Sequence, residues 1–175
     1  MKSLFLLCLA LCAMVLVSSL AFAQATTPAQ TTPPSAEHQR LAPLVGQWDV
    51  TIKFHVGPGK LQNGTATCTS AWFLDGKFVQ QEYRSLMNGQ PFTVLQILGY
   101  DTRRKQFTEL SLNSIETAVL HNTGEHFDSL TRRIAKLRSV YTVTDQAHFT
   151  LEWLQTNADG KEERVVTPTH TRRHP

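Results

Sequence analysis

The fold is decided by the stretch Leu44-Val45-Gly46-Gln47-Trp48-Asp49-Val50-Thr51-Ile52, in which a helical segment gives way to a β-strand. From Trp48 to Val56, apolar residues occupy every second position and mostly polar residues stand between them. An alternation with period two is typical of a strand that is buried on one face. Before Gly46, Leu41 and Leu44 follow a helical spacing instead. We therefore expect a short helix that plugs a β-structure, with Trp48 leading its first strand.

The N-terminal helix is predicted to be short. Ser35 is a residue type that caps helices, and Glu37 follows in the first turn. Pro43 interrupts the segment, because proline has no N–H to donate inside a helix. Gly46 ends the segment.

Downstream of Val56, the chain resembles a series of strands joined by short turns. Asp75-Gly76 and Asn88-Gly89 are strong signals of two-residue β-hairpins. Further strands are predicted over residues 64–74, 77–87, 90–100, 106–113, 115–122, 133–143, 148–155 and 161–172. A helix over residues 130–137 is the alternative for one of them, and Pro168 indicates an edge strand or a frayed end. The expected fold is all-β: an antiparallel meander of about 8–10 strands that closes into a lipocalin-like β-barrel.

The first residues predict export. Lys2 precedes an apolar run from Leu4 to Leu20, and the following Ala21-Phe22-Ala23 is typical of a signal-peptidase site. We expect a signal peptide over residues 1–23, a disordered Thr/Pro-rich linker over 24–36 and one barrel domain over 37–173. An uncleaved anchor and a lipoprotein are the alternatives. After cleavage the sequence predicts no membrane span and a periplasmic or secreted protein.

The cysteine count argues against an internal disulfide, and the distribution of charge argues against nucleic-acid binding. Cleavage leaves Cys68 as the one cysteine, so no internal disulfide is expected, and a buried inert thiol is preferred to a reactive one. The formal charge is +3, and the basic residues come in separated pairs such as Arg132-Arg133. A basic stripe interleaved with aromatic residues is missing, which argues against a nucleic-acid partner.

The sequence resembles a bacterial family catalogued as a domain of unknown function, number fifteen seventy-nine. The resemblance covers residues 38–172 and rests on motifs in a fixed order: His38-x-x-Leu41-x-x-Leu44-Val45-Gly46-x-Trp48-Asp49-Val50, Gly76-Lys77-Phe78-Val79-Gln80-Gln81-Glu82-Tyr83, Gly89-Gln90-Pro91-Phe92, Gly99-Tyr100-Asp101 and Asp159-Gly160-Lys161-Glu162. It implies a lipocalin-like barrel without an established activity. The Gly-x-Trp opening is also similar to lipocalins and to nitrobindin-like haem-binding barrels.

This chain departs from the resemblance at one place. Family members commonly carry Trp-x-Asp-Ser after the Gly-Tyr-Asp turn, and this chain has Ser111-Leu112-Asn113-Ser114. If the missing ring and carboxylate line the family's pocket, the resemblance implies a larger or less acidic pocket here.

The candidate ligand-binding site consists of polar residues that share the inward faces of middle strands. These residues are Gln81, Tyr83, Gln96, Ser111 and Asn113. A few polar groups among apolar walls are typical of a small-molecule pocket. The alternative is a solid core in which the amides bond to backbone or water.

Catalytic and metal sites are not predicted. The histidines at 55, 121, 126 and 148 lack the spacing of a zinc helix and are expected at the surface. No nucleophile motif occurs, and Asp49 and Glu82 are expected in salt bridges or turn contacts. We expect no cofactor.

The function predicted from these observations is non-enzymatic binding of a small apolar or amphipathic molecule in a barrel cavity. An isomerase- or hydrolase-type enzyme is the first alternative, and it requires a titrating group inside the barrel, for which the sequence offers no clear candidate. A protein-interaction module with a filled core is the second alternative. The sequence leaves the ligand's identity and the oligomeric state open.

Overall fold

The computed structural model describes residues 32–125, 130–132 and 137–173. A short helix α1 (Ala36–Gln39) and a 3₁₀ turn (Ala42–Leu44) precede the strands. The strands are β1 (Gly46–Gly57), β2 (Lys60–Phe73), β3 (Phe78–Met87), β4 (Gln90–Asp101), β5 (Gln106–Asn113), β6 (Leu120–Gly124), β7 (Leu130–Arg132), β8 (Leu137–Val143), β9 (His148–Thr156) and β10 (Glu162–Arg172). The predicted signal peptide and the linker up to residue 31 lie outside the described residues.

The strands form one antiparallel sheet that closes on itself. Each strand pairs with the next along the chain, and β1 also pairs with β10. The β6–β7 ladder is the narrowest, with Thr123 opposite Thr131 as its one described pair. The predicted all-β barrel of about 8–10 strands with a short N-terminal helix is confirmed.

The hairpin turns follow the predicted chemistry. Asn88 and Gly89 both have positive φ, 52° and 78°, as a two-residue turn of type I′ requires. The predicted two-residue turn at Asp75-Gly76 is longer, because residues 74–77 separate the paired Phe73 and Phe78. Leu74, Asp75 and Gly76 all have positive φ there. These turns fix the register of β2, β3 and β4, so residues that face the interior on one strand stand beside interior residues on the next.

One strand prediction and one helical alternative are wrong in part. Residues 115–119 form a loop, and β6 starts only at Leu120. Ile115 and Val119 are both more than half exposed, so their β-branched side chains gave a strand signal without a buried face. Within residues 130–137, Leu130–Arg132 is a strand and Leu137 begins β8, so the helical alternative is wrong for its described part.

The interpretation of Pro168 as a mark of an edge strand is also wrong. Pro168 is buried within β10 and lies opposite Ile52 of β1. On the other side of β10, the described ladder with β9 passes from Val166 to Thr169 without a partner for Pro168, just beyond a register shift. Proline has no N–H for a ladder bond, and this gap accommodates it inside a closed barrel.

The apolar core fills the end of the barrel next to α1. Leu41 and Leu44 are completely buried and belong to the same cluster as Trp48 and Phe149. The rings of Trp48 and Phe149 meet edge to face with centroids 4.8 Å apart. The segment before β1 therefore closes this end, as the sequence predicts.

Arg172 joins this plug to the last strand. Its guanidinium group lies 4.2 Å from the centroid of the Trp48 ring and donates hydrogen bonds to the carbonyls of Val45, at 2.8 Å, and Pro43, at 3.2 Å. A cation over an indole face adds an electrostatic attraction to these bonds.

Within the described residues, no helix has the length and the hydropathy needed to cross a membrane.

Candidate functional site

A cavity of about 550 Å³ occupies the half of the barrel remote from α1. Its outer part lies among the ends of β1 and β3 and the β5–β6 loop, where Val56, Met87 and Glu116 contribute to its lining. Its walls are mostly apolar and aromatic, and they include Ile52, Phe54, Ala66, Phe92, Val94, Leu120, Leu151, Trp153, Val166 and Pro168. A cavity of this size and lining accommodates a small organic molecule.

The structure places four of the five predicted site residues in the cavity lining. Tyr83, Gln96, Ser111 and Asn113 line it, and they come from β3, β4 and β5. Gln81 is completely buried but is not a lining residue. A part in ligand binding stays a prediction for all five.

The strand register places four polar residues side by side across β2 to β5, and we call them the polar row. Three of them, Gln81, Gln96 and Ser111, belong to the predicted site. Ser70 of β2 stands opposite Gln81 of β3, Gln81 opposite Gln96 of β4, and Gln96 opposite Ser111 of β5. All four side chains are buried. Directly paired residues have Cβ atoms about 4.5–5.5 Å apart, so the polar row is continuous from β2 to β5. Gln96 and Ser111 line the cavity, whereas Ser70 and Gln81 do not.

Next to the polar row lies a buried carboxyl group that sequence reasoning missed. Glu109 is 1% exposed. It accepts hydrogen bonds from Gln96 Nε2 at 2.8 Å, Asn122 Nδ2 at 3.0 Å and the Tyr141 hydroxyl at 3.3 Å. Buried polar groups need such partners, because an unpaired one loses its hydration without compensation. Four strands thus contribute to one interior hydrogen-bond network.

Burial raises the pKa of Glu109 above its ordinary value, although its hydrogen bonds to Asn122, Ser139 and Tyr141 act in the opposite direction. Burial also raises the pKa of Tyr141 well above its usual range. The expectation that the sequence offers no clear titrating group inside the barrel is therefore wrong. The signal was present: Phe107, Glu109 and Ser111 alternate along β5 and share its inward face.

A pH dependence of stability follows from Glu109. The unfolded chain loses the Glu109 proton near pH 4.5, whereas the folded protein keeps it up to a higher pH. Between the two pKa values of Glu109 the folded state holds more protons on this group, so the Glu109 contribution to the free energy of unfolding falls as the pH rises, by at most about 1.4 kcal/mol per pH unit. We expect Glu109→Gln to remove this slope, as measured by urea denaturation from pH 4 to 8. Parallel profiles for the two proteins would contradict this prediction.

A second buried group connects Cys68, Tyr83 and His170. The Tyr83 hydroxyl lies 3.0 Å from His170 Nε2, and the imidazole stacks on the Phe149 ring with centroids 3.8 Å apart. Burial raises the pKa of the Cys68 thiol to about 12, despite its hydrogen bond with Tyr83. Burial lowers the pKa of His170 to about 3. The thiol and the imidazole are therefore uncharged near pH 7. The prediction that Cys68 is buried is confirmed, and its lack of reactivity stays a prediction.

The predicted surface histidines are placed as follows. His121 and His148 are exposed, and His148 Nδ1 lies 2.9 Å from Asp145 Oδ1. His55 is half-buried, with Nε2 3.3 Å from Thr167 Oγ1. His126 lies outside the described residues. In the part of the chain that the structure describes, no three His, Cys, Asp or Glu side chains group closely enough to hold a metal ion.

The predicted ion-pair roles of two carboxylates are confirmed. Asp49 lies on the outer face of β1 and pairs with Arg173, whose Nε donates to Asp49 Oδ1 at 2.6 Å. Glu82 pairs with Arg84. Both pairs are partly or fully exposed, so each contributes little to stability.

The mouth of the cavity has an apolar rim. Val56 and Leu86 line the outer part of the cavity, and Ile115 and Val119 lie in the β5–β6 loop at the same end of the barrel. Each of the four is more than half exposed, Leu86 by 70%. Clustered exposed apolar side chains mark sites that contact apolar partners or ligands. The apolar lining of the cavity thus continues to the surface.

A larger depression, of about 810 Å³, lies on the outer faces of β1 and β2. Its walls carry Thr51, Thr65, Thr67 and Arg84, all on the solvent side of the sheet. It is a surface feature of the sheet and not part of the barrel interior. We therefore assign the candidate site to the interior cavity.

Comparison with known proteins gives the family. The sequence model of a family described as "Protein of unknown function (DUF1579)" matches residues 33–172. The chain belongs to this family. The match spans all ten strands and α1, so the DUF1579 region includes the whole barrel and its plug. No curated protein matches the chain.

Solved structures similar to this DUF1579 protein are β-barrels. Rv2717c from M. tuberculosis has a TM-score of 0.53 and 13% identity, with 81% of this chain and 99% of that chain covered. A redesigned β-barrel has a TM-score of 0.43 and 15% identity, covering 76% and 94% of the two chains. A de novo designed fluorescence-activating β-barrel has a TM-score of 0.45 and 9% identity, covering 74% and 93%. At these identities the likeness to Rv2717c concerns the fold alone.

Proposed function

We propose that this DUF1579 protein is an exported, non-enzymatic barrel that binds a small apolar or amphipathic molecule in its cavity. The observation that carries the proposal is the 550 Å³ cavity, which has apolar walls and a polar inner end. Gln96, Ser111 and Tyr83 supply hydrogen-bonding groups at one place among aliphatic and aromatic side chains. Binding sites for small molecules combine these two features, because apolar burial supplies affinity and a few polar groups fix orientation.

The barrel's construction supports a binding role. The packed core lies on the α1 side, so the plug keeps that end closed and one mouth remains for exchange with the surroundings. The apolar rim extends the cavity's lining outward, so a molecule longer than the cavity keeps an apolar contact where it emerges.

Export is supported by the first residues. Lys2, the apolar run from Leu4 to Leu20 and Ala21-Phe22-Ala23 have the order of a secretory signal. A periplasmic or secreted protein that carries an apolar molecule through water is consistent with a closed cavity floor and an open mouth.

Native mass spectrometry of the protein purified from its own periplasm tests this proposal. We expect an adduct of a few hundred daltons that is retained under gentle ionisation and lost on denaturation. A matched sample after delipidation, reloaded with an extract of the same cells, controls for a detergent or buffer adduct. A bare mass in both samples contradicts the proposal.

Substitution of Gln96 is a second test. We expect Gln96→Leu to weaken binding of the co-purified molecule by about two- to tenfold, because one hydrogen bond at the inner end of the cavity contributes about 0.5–1.5 kcal/mol. Titration of the delipidated protein, followed by tryptophan fluorescence, measures the change. Gln80→Leu on the neighbouring strand, whose side chain points away from the interior row, is the control. Equal affinities for Gln96→Leu and the unsubstituted protein contradict the prediction.

Glu109 favours an enzyme of the isomerase or hydrolase type as the second candidate. A buried carboxyl group with a raised pKa is a common general acid or base. Glu109 is not a lining residue of the cavity, however, and Gln96 lies between the two. Catalysis would require Glu109 to reach a bound molecule, and for this reason binding is preferred.

A further inference from the structure

Two residues that line the cavity have buried polar atoms without a hydrogen-bond partner. Gln96 is 1% exposed and uses its Nε2 atom as a donor to Glu109, which leaves the Oε1 atom unpaired. Across the barrel, the indole Nε1 of Trp153 is also buried and unpaired. Both residues line the cavity. One wall therefore offers a hydrogen-bond acceptor and another offers a donor.

Burial of these two atoms is unfavourable unless a ligand forms hydrogen bonds with them. A buried donor or acceptor without a partner is unfavourable, because its hydration is lost and not replaced. The orientation of the Gln96 amide is set by the Glu109 carboxyl, which accepts from its Nε2 atom. Gln96 thus presents an acceptor and not a donor to the site. A ligand group that both donates and accepts, such as a hydroxyl, matches this pair of atoms.

The charge of the site restricts the ligand further. The polar lining groups at the inner end, on Tyr83, Gln96, Ser111 and Trp153, are all uncharged. Among the described lining residues there is no lysine, arginine or histidine, and Glu116 at the mouth carries the one charge. The Glu109 carboxyl lies behind Gln96. An anion at the inner end would lose its hydration without a cation to replace it.

The geometry points to a neutral amphiphile that enters with its uncharged polar group first and hydrogen-bonds to Gln96 Oε1 and Trp153 Nε1. The apolar part then lies against Phe54, Phe92 and Val166 and extends to the apolar rim. This inference rests on the proposed function and specifies its ligand class. It excludes fatty-acid carboxylates and other anionic amphiphiles as preferred ligands.

Three probes of one chain length test the inference: decan-1-ol, decanoate and decyltrimethylammonium. Their affinities for the delipidated protein are measured at pH 7.5 by isothermal titration calorimetry, below the micellar concentrations of the two ions and below the solubility limit of the alcohol. We expect decan-1-ol to bind at least tenfold more tightly than either ion. An ion that binds as tightly as the alcohol overturns the inference but leaves the proposed function intact. Binding of none of the three probes overturns the proposed function itself.

Variants test the placement of the polar group. Trp153→Phe keeps an aromatic ring and removes the Nε1 donor. We expect this variant to bind decan-1-ol about three- to tenfold more weakly. Gln96→Leu should have a similar effect, whereas Trp72→Phe, which lies outside the cavity lining, should have none. Melting curves establish that each variant is folded. If Trp153→Phe is folded and binds decan-1-ol as the unsubstituted protein does, the proposed head-first orientation is overturned.

Discussion

Trp48→Ala is expected to lower the free energy of unfolding by about 3–5 kcal/mol, the usual range for truncating a buried aromatic side chain. Trp48 is 1% exposed and packs edge to face on Phe149. Its Nε1 atom donates to the Leu44 carbonyl at 3.0 Å, and the Arg172 guanidinium covers its ring. The substitution removes the contact between the plug, the first strand and the last strand in one step.

Guanidinium chloride denaturation followed by circular dichroism measures this change. Thr51→Ala is the matched control, because Thr51 lies on the exposed face of the same strand and should change stability by less than about 0.5 kcal/mol. Trp48→Phe, which keeps an aromatic ring but not the Nε1 donor, should fall between the two. A loss below 1 kcal/mol for Trp48→Ala contradicts the assignment of Trp48 to the core.

The second large effect is expected for Glu109→Ala, at about 3–5 kcal/mol. Gln96 Nε2 and Asn122 Nδ2 both donate to the Glu109 carboxyl in the barrel interior. Their loss of an acceptor costs about 1–3 kcal/mol each, and the missing side chain leaves a cavity in addition. Gln96 of β4, Asn122 of β6 and Tyr141 of β8 all lose Glu109 as a hydrogen-bond acceptor.

This change is measured at pH 4.5, the ordinary pKa of a glutamic acid, where the pH-dependent part of the Glu109 contribution is small. Glu109→Gln is the matched control, because it keeps the volume and one acceptor oxygen and should cost less than Glu109→Ala. Equal losses for the two variants contradict the role assigned to the hydrogen bonds. In that case the loss of stability would come from changing a buried side chain and not from the lost hydrogen bonds.

The sequence predicts the fold well where hydrophobic period and turn chemistry agree. Trp48 and Val50 alternate inward as expected, and Asn88-Gly89 sets the β3–β4 register that brings Gln81 beside Gln96. The prediction is wrong where apolar content stands without a partner surface. Ile115 and Val119 have strand propensity, but their side chains are exposed at the cavity mouth, and the chain there forms a loop.

The candidate site is only partly predictable from the sequence, because a charged residue type, glutamate, stands at one of the inward positions of β5. Glu109 occupies an inward position of β5, yet a glutamate is ordinarily expected in water and was not counted as interior. Its burial depends on Asn122 and Tyr141, which come from strands that the local sequence of β5 does not specify. His170 was missed for a similar reason, since Phe149 and Tyr83 cover it from other strands.

The seam between β1 and β10 has a consequence for the order of biosynthesis. Asp49 and Arg173 pair across a separation of 124 residues, and β1 has no other partner on that side. Until β10 has been synthesised, β1 presents an unpaired edge, and the plug lacks the Arg172 hydrogen bonds that tie it to the last strand. Such an edge is prone to pair with other chains. The barrel therefore cannot close before β10 has been synthesised, and every earlier intermediate keeps this edge unpaired.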